Sequence, residues 1–138
     1  MPEPKPPSSQ HFQNNLRKKL TPEQYRVTQE RGTEMPFTGE HLNNHQNGNY
    51  HCVVCDSLLF KSTAKFDSGT GWPSFDEPAN LENLEIKEYF SHGLIRQEAL
   101  CKNCHAHLGH IFTDGPTKTG LRYCINSCSL NFNKPTKS

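Results

Sequence analysis

Three features of the sequence predict a mainly β fold with a short N-terminal helical region. Helix signals stop near residue 32, and strand-like runs dominate after residue 49. Two Cys-x-x-Cys pairs, Cys52/Cys55 and Cys101/Cys104, stand at the ends of such runs and can be stapled together. The chain has 138 residues, which suits one domain, yet only 32% are hydrophobic. A core that lean needs help from a cross-link or a metal.

Taken in order, Met1 to Gln10 is rich in Pro and Ser and is expected to be disordered. Phe12, Leu16 and Leu20 recur at i, i+4 and i+8 as a weak helical stripe, with Arg17, Lys18 and Lys19 beside it as a solvated face. A better helix is predicted over residues 21–31. Thr21 fits the N-cap, Pro22 fits N1, Gln24 completes a capping box, and Gly32 supplies a stop. Residues 43–49 are polar and turn-like. Tyr50 to Cys55 then enters the first cysteine pair as a strand. Leu84 to Phe90 and Leu94 to Leu100 read as a hairpin turning at Ser91-His92-Gly93. Tyr123 to Phe132 is predicted as one final strand.

Charge narrows the function classes. Fifteen basic and 14 acidic residues leave a net charge of +1, which gives no broad reason to bind nucleic acid or an anionic membrane. No apolar run is long enough to span a bilayer. Met1-Pro2-Glu3-Pro4-Lys5 does not read as a secretory signal, so the expectation is a cytoplasmic (or also nuclear) monomer.

In a chain without a secretion signal, paired cysteines point to metal or catalysis rather than disulfides. Two residues between thiols let a tight turn aim both sulfurs at one ion. Two such turns complete a tetrahedral S4 site, which suits Zn2+. Four thiolates leave no open position, so Cys52, Cys55, Cys101 and Cys104 are expected to hold one structural zinc. The alternative, a redox Cys-x-x-Cys, normally needs a βαβ context that this sequence lacks.

Cys124 and Cys128 remain. Arg122 and Asn126 share the strand face of Cys124, and a guanidinium there favours a thiolate. A buried, inert cysteine is the other reading of the same pattern. His105, His107 and His110 cluster after the second cysteine pair. They suit acid–base or hydrogen-bonding duty, an extra metal site or plain surface polarity. Trp72 lies in Ser68-Gly69-Thr70-Gly71-Trp72-Pro73-Ser74-Phe75. Read locally it is a core anchor before it is a binding wall.

Together, and in this order, these segments resemble the zinc-containing branch of the methionine-R-sulfoxide reductases, the MsrB family. The matching stretches are Lys65 to Phe75, His107 to Phe112 and Gly120 to Ser127, with Pro36-Phe37-Thr38-Gly39-Glu40 upstream. The resemblance runs from about Leu20 to Phe132. It implies two antiparallel sheets and a catalytic domain at 20–133. That domain would lie between a disordered or weakly helical segment at 1–19 and a flexible tail at 134–138. It implies that Cys124 attacks the sulfoxide sulfur and becomes a sulfenic acid. His107 and His110 would hold the sulfoxide oxygen, Asn126 would order that network, and Arg122 would support the thiolate. Trp72 and Phe112 would bind the substrate, Trp72 against its S-methyl end. Oxidised proteins would be the substrates, and thioredoxin or another thiol the reductant.

The sequence departs from the family at one point. Thr70 stands where many members carry a resolving cysteine. If residues 124–128 are extended, the Cys124 and Cys128 Cα atoms are about 13 Å apart, and a disulfide wants less than about 7 Å. Cys128 is therefore expected to be a small buried side chain, with regeneration left to an external thiol. The main rival is a zinc-stapled module that only binds peptides, which has no need of Arg122, Cys124, His107, His110 and Trp72 together.

Overall fold

The computed structural model describes residues 15–91 and 93–134, so the Pro- and Ser-rich start, Phe12 and the last four residues lie outside it. Residues 15–19 are helical (α1), and α2 follows at Pro22–Gln29. The strands are β1 (Asn49–Cys52), β2 (Leu58–Lys61), β3 (Lys65–Phe66), β4 (Ser74–Phe75), β5 (Leu84–Ser91), β6 (Leu94–Cys101), β7 (His107–Phe112), β8 (Arg122–Ile125) and β9 (Leu130–Asn133). They form two antiparallel sheets, β2-β1-β9 and β3-β4-β8-β7-β6-β5. The predicted mainly β class is borne out.

The capping box of α2 forms as read. The Thr21 hydroxyl accepts the Gln24 N–H at 3.1 Å, and the Gln24 side chain accepts the Thr21 N–H at 2.8 Å. Its end differs. The helix stops at Gln29, and the left-handed residue is Arg31 (φ 58°) rather than Gly32. A bidentate pair to Glu98, at 3.0 and 2.8 Å, holds Arg31 in that conformation. The preceding helical turn is not merely a solvated face. Leu16 and Leu20 are buried, the Arg17 guanidinium lies 4.3 Å over the Tyr25 ring, and Lys19 donates to the Val54 carbonyl at 2.7 Å.

An aromatic core joins the sheets. Phe60 stacks on Phe75 at 4.3 Å, Tyr50 meets Phe75 edge-on at 5.2 Å, and Tyr123 reaches Phe60 at 5.8 Å. The hairpin of β5 and β6 pairs in unbroken register from Leu84↔Cys101 to Ser91↔Leu94.

The final strand is two strands, not one. β8 ends at Ile125, a 3-10 turn spans Ser127–Ser129, and β9 joins the other sheet. Polar groups break the run. The Asn126 N–H and side-chain amide both donate to the Leu108 carbonyl, at 2.9 and 3.0 Å. The Ser127 hydroxyl accepts the His41 N–H at 2.7 Å, and the Ser129 hydroxyl donates to the His107 carbonyl at 3.1 Å. These bonds outweigh the period-two pattern and fold the chain from one sheet into the other. The extended geometry assumed for residues 124–128 therefore does not hold.

β7 and β8 approach unusually closely at Gly109, where a Cβ would overlap the Cys124 carbonyl and the Ile125 backbone. Both neighbours are main chain and cannot swing aside. Gly109→Ala is expected to lower stability by about 2–3 kcal/mol, read as a fall in thermal midpoint. An unchanged midpoint would mean that the two strands part at no cost.

Candidate active site and metal centre

Cys52 ends β1 and Cys101 ends β6, so the cysteine pairs sit at the ends of strands from different sheets. Each pair turns the same way. After the second cysteine comes a left-handed residue, Asp56 (φ 68°) or His105 (φ 64°). Its N–H returns to the carbonyl of the first cysteine, at 2.8 Å for Asp56 to Cys52 and 2.7 Å for His105 to Cys101. The four sulfurs converge within 4.8 Å of one another, with Cys52 to Cys104 at 3.6 Å and Cys55 to Cys101 at 3.5 Å. A tetrahedral ion with bonds of about 2.3 Å needs sulfurs about 3.8 Å apart. The donor set therefore forms a metal site that ties the two sheets together. Without a cation the crowding is unfavourable: the neighbouring thiols Cys101 and Cys104, followed by burial, push Cys52 far up from an ordinary thiol.

The second cluster is built by strand register. Glu98 on β6 pairs with His110 on β7, His110 pairs with Cys124 on β8, and Cys124 pairs with Ser74 on β4. Paired residues share a face, so this row runs across four strands. Tyr123 and Ile125 point into the core, which leaves Arg122 and Cys124 on the opposite face. There Cys124 lines a cleft with Trp72, Arg96, His110, Phe112 and Asn126.

The cleft brings together most, but not all, of the sequence-predicted residues. Trp72 is a wall rather than a core anchor. It is half-buried, and its indole N–H donates to the Glu34 carbonyl at 3.0 Å. Phe75, three residues on, fills the core instead. Phe112 forms part of the rim, with the Arg122 guanidinium 4.3 Å over its ring. Arg122 also grips Asp114, at 2.9 and 3.2 Å, which holds its guanidinium above the ordinary value. Arg122 and Thr70 both favour the Cys124 thiolate, but burial is the larger effect and leaves the thiol raised. Arg122 thus acts in the expected direction, and burial works against it.

The three histidines separate. His105 pairs outward with Glu85, Nδ1 to carboxylate 3.0 Å, beside the metal cluster. His110 lines the cleft. A register shift between Ala99 and Leu100 of β6 places a bulge in β7, pairing Ala99 with Gly109 and Leu100 with His107. The bulge turns His107 to the side of His110, which a regular strand would not do at a spacing of three. Their rings lie 5.6 Å apart, edge to face. His107 does not line the cleft but stands behind His110, 3% exposed, with Nδ1 2.7 Å from the Glu98 carboxylate. Its Nε2 is buried with no partner among the described residues. Burial is the largest effect on both imidazoles and lowers both pKa values, which favours their neutral forms.

Asn126 is buried and committed to the frame. Its side-chain oxygen accepts the Glu34 N–H at 3.1 Å while its amide holds β7. Glu34, Glu98, Arg31 and Asp114 were not among the sequence-predicted site residues. No local pattern marks them, because register and loop packing bring them in. Cys128 opens on a different cleft, with Thr21, Glu34 and Thr38. Its N–H donates to the Glu34 carboxylate at 3.0 Å, and burial followed by that carboxylate pushes its thiol up to about 12.

Fold and site together define a metal-stapled β protein that presents one thiol in an aromatic-walled cleft. A family model described as the SelR domain matches residues 20–134. The chain belongs to this family. It is 57% identical over 116 residues to a Thiobacillus denitrificans protein named peptide methionine sulfoxide reductase MsrB, covering 84% of this chain and 88% of that one. A Burkholderia multivorans protein of the same name is 58% identical over 118 residues, 85% of this chain and 82% of that one. Methionine-R-sulfoxide reductase B3, mitochondrial, from Mus musculus, is 57% identical over 120 residues, which is 87% of this chain and 47% of that one. Among the described residues no helix is long and apolar enough to cross a membrane.

Proposed function

We propose that residues 20–133 form a peptide-methionine (R)-S-oxide reductase that repairs oxidised proteins, with Cys124 as its nucleophile. The observation that carries this reading is the position of Cys124. It is the one described cysteine outside the metal cluster that shares a cleft with a tryptophan and a histidine.

In the proposed step the Cys124 sulfur attacks the sulfoxide sulfur. The thiol and the sulfoxide become a sulfenic acid and a thioether, so one oxygen is transferred and two electrons pass from cysteine to substrate. The thiol supplies the one proton that ends on the sulfenic acid. Trp72 packs against the S-methyl group, where sulfur–aromatic contact is favourable, and Phe112 closes the other wall. His110 faces the oxygen. Glu98 accepts the Nδ1–H of His107 and so leaves its buried Nε2 as an acceptor behind His110. Asn126 fixes the floor, and Arg122, braced by Asp114, offsets part of the burial cost of the thiolate. A single Zn2+ bound by Cys52, Cys55, Cys101 and Cys104 would be structural, since all four positions are filled by sulfur.

Regeneration falls to thioredoxin or another thiol, which attacks the exposed side of the sulfenic acid. Cys128 opens elsewhere and is a poor nucleophile with its thiol held so high. The working form is a monomer in the cytoplasm, or also the nucleus. It requires neither nucleic acid nor membrane.

The test is turnover of each methionine sulfoxide epimer, free and in a peptide, with dithiothreitol. The R-epimer is expected to be reduced and the S-epimer left intact. Reduction of neither epimer would remove the enzyme reading.

A further inference from the structure

Residues 31–37 run from the end of α2 to the cleft without joining either sheet. A short series of bonds to the cleft walls places them. Arg31 grips Glu98 on β6, and the Phe37 N–H donates to the Gly71 carbonyl at 2.7 Å. Between those anchors Thr33 lines the cleft, and Glu34 is buried, 2% exposed.

Glu34 spends three groups on three partners. Its N–H donates to the Asn126 side-chain oxygen at 3.1 Å, and its carbonyl accepts the Trp72 indole N–H at 3.0 Å. Its carboxylate accepts the Cys128 N–H at 3.0 Å, in the turn that follows β8. The floor of the cleft, its tryptophan wall and the turn beyond the Cys124 strand thus meet at one residue. A carbonyl can hold an indole in place only if its own main chain is held. The carboxylate provides that hold, because the turn it reaches is itself tied down. The Ser129 hydroxyl donates to the His107 carbonyl, and the Ser127 hydroxyl accepts the His41 N–H. A carboxylate buried this deeply carries a desolvation cost that an apolar side chain would avoid. Packing alone therefore does not account for a glutamate here, whereas the reach of its oxygen to the turn does.

We infer that Glu34 is a positioning residue for the cleft: its carboxylate, bonded to the Cys128 N–H, fixes the main chain from which its carbonyl holds the Trp72 indole. This rests on the proposed reading of the cleft as a methionine sulfoxide site in which Trp72 meets the S-methyl group. Glu34 does not itself line the cleft and acts through the residues that do.

Trp72 is the only tryptophan of the chain, so tryptophan fluorescence reports this wall alone. The test reads emission and acrylamide quenching in the metal-loaded protein, well below its thermal midpoint, beside KM and kcat for a peptide carrying methionine R-sulfoxide. Glu34→Ala is expected to shift the emission to longer wavelength and increase quenching. It should raise KM about five-fold, the equivalent of one lost hydrogen bond, with a smaller change in kcat. Glu34→Asp keeps the charge but is one methylene short, and is expected to behave like Glu34→Ala. Glu34→Gln keeps the length and an acceptor oxygen, and is expected to restore the parent emission and KM. Parent values in Glu34→Asp, or in a folded Glu34→Ala, would overturn the inference. A Glu34→Gln protein matching Glu34→Asp would overturn it too, since reach would then not be what matters. Altered emission in variants of a protein that reduces neither epimer would keep the positioning role and reject the reductase reading.

Discussion

Cys124→Ser is expected to bring reduction of methionine sulfoxide to the background of the assay, with thermal midpoint and metal content unchanged. The expectation follows from place and chemistry together. The side chain is half-buried on a face that packs no core, so losing sulfur leaves Tyr123 and Ile125, which do the packing, untouched. A serine hydroxyl is a far weaker nucleophile toward sulfur than a thiol or thiolate. No other described cysteine can replace it: four are held in the metal cluster and Cys128 faces another cleft. Trapping with a sulfenic-acid probe should label the wild type after one turnover and leave Cys124→Ser unlabelled. Turnover surviving in the variant would misplace the nucleophile. An intramolecular Cys124–Cys128 bond found by mass spectrometry would reject the external-thiol regeneration.

The second large effect is on the fold. Cys101→Ser is expected to lower metal content and thermal midpoint together, the midpoint by about 15 °C or more. Structural zinc in small domains contributes on the order of 10 kcal/mol, comparable with the whole stability of a typical domain. Here the loss falls where β1 of one sheet meets β6 of the other, and Cys101 itself is fully buried. The aromatic core keeps some order, so partial unfolding rather than a random chain is the expected state. Cys128→Ser serves as the control and should keep both metal and midpoint. A stable, metal-free Cys101→Ser protein would reject the structural role of the ion.

The cysteine pairs were legible because metal binding by Cys-x-x-Cys is a local geometric problem, solved within each turn. The α2 capping box was legible for the same reason: Thr21 and Gln24 bond to each other's backbone within one helical turn. The long hairpin of β5 and β6 followed from two apolar runs flanking a glycine turn. The region around Cys124 was legible as a set of candidates, and the resemblance carried their roles.

What composition and spacing could not give is where each candidate faces. Trp72 read locally as a core residue, because an isolated tryptophan is most often buried. The Glu34 carbonyl holds it at the cleft, and Glu34 lies 38 residues away. Three clustered histidines looked equivalent, yet a bulge in β7 gives them three environments. Asn126 and Ser127 looked like members of one strand until polar bonds to β7 and to His41 bent the chain.

The sequence by itself therefore determined the two Cys-x-x-Cys pairs, the first well-capped helix and the mainly β class, and it narrowed the spare thiol to Cys124 or Cys128. Each depends on interactions between residues a few positions apart. Tertiary structure alone decided that Cys124 opens on Trp72 and His110 while Cys128 does not. It alone decided that Glu98 backs His107. Those relations depend on strand register and on burial, which belong to the whole packed chain and to no segment of it.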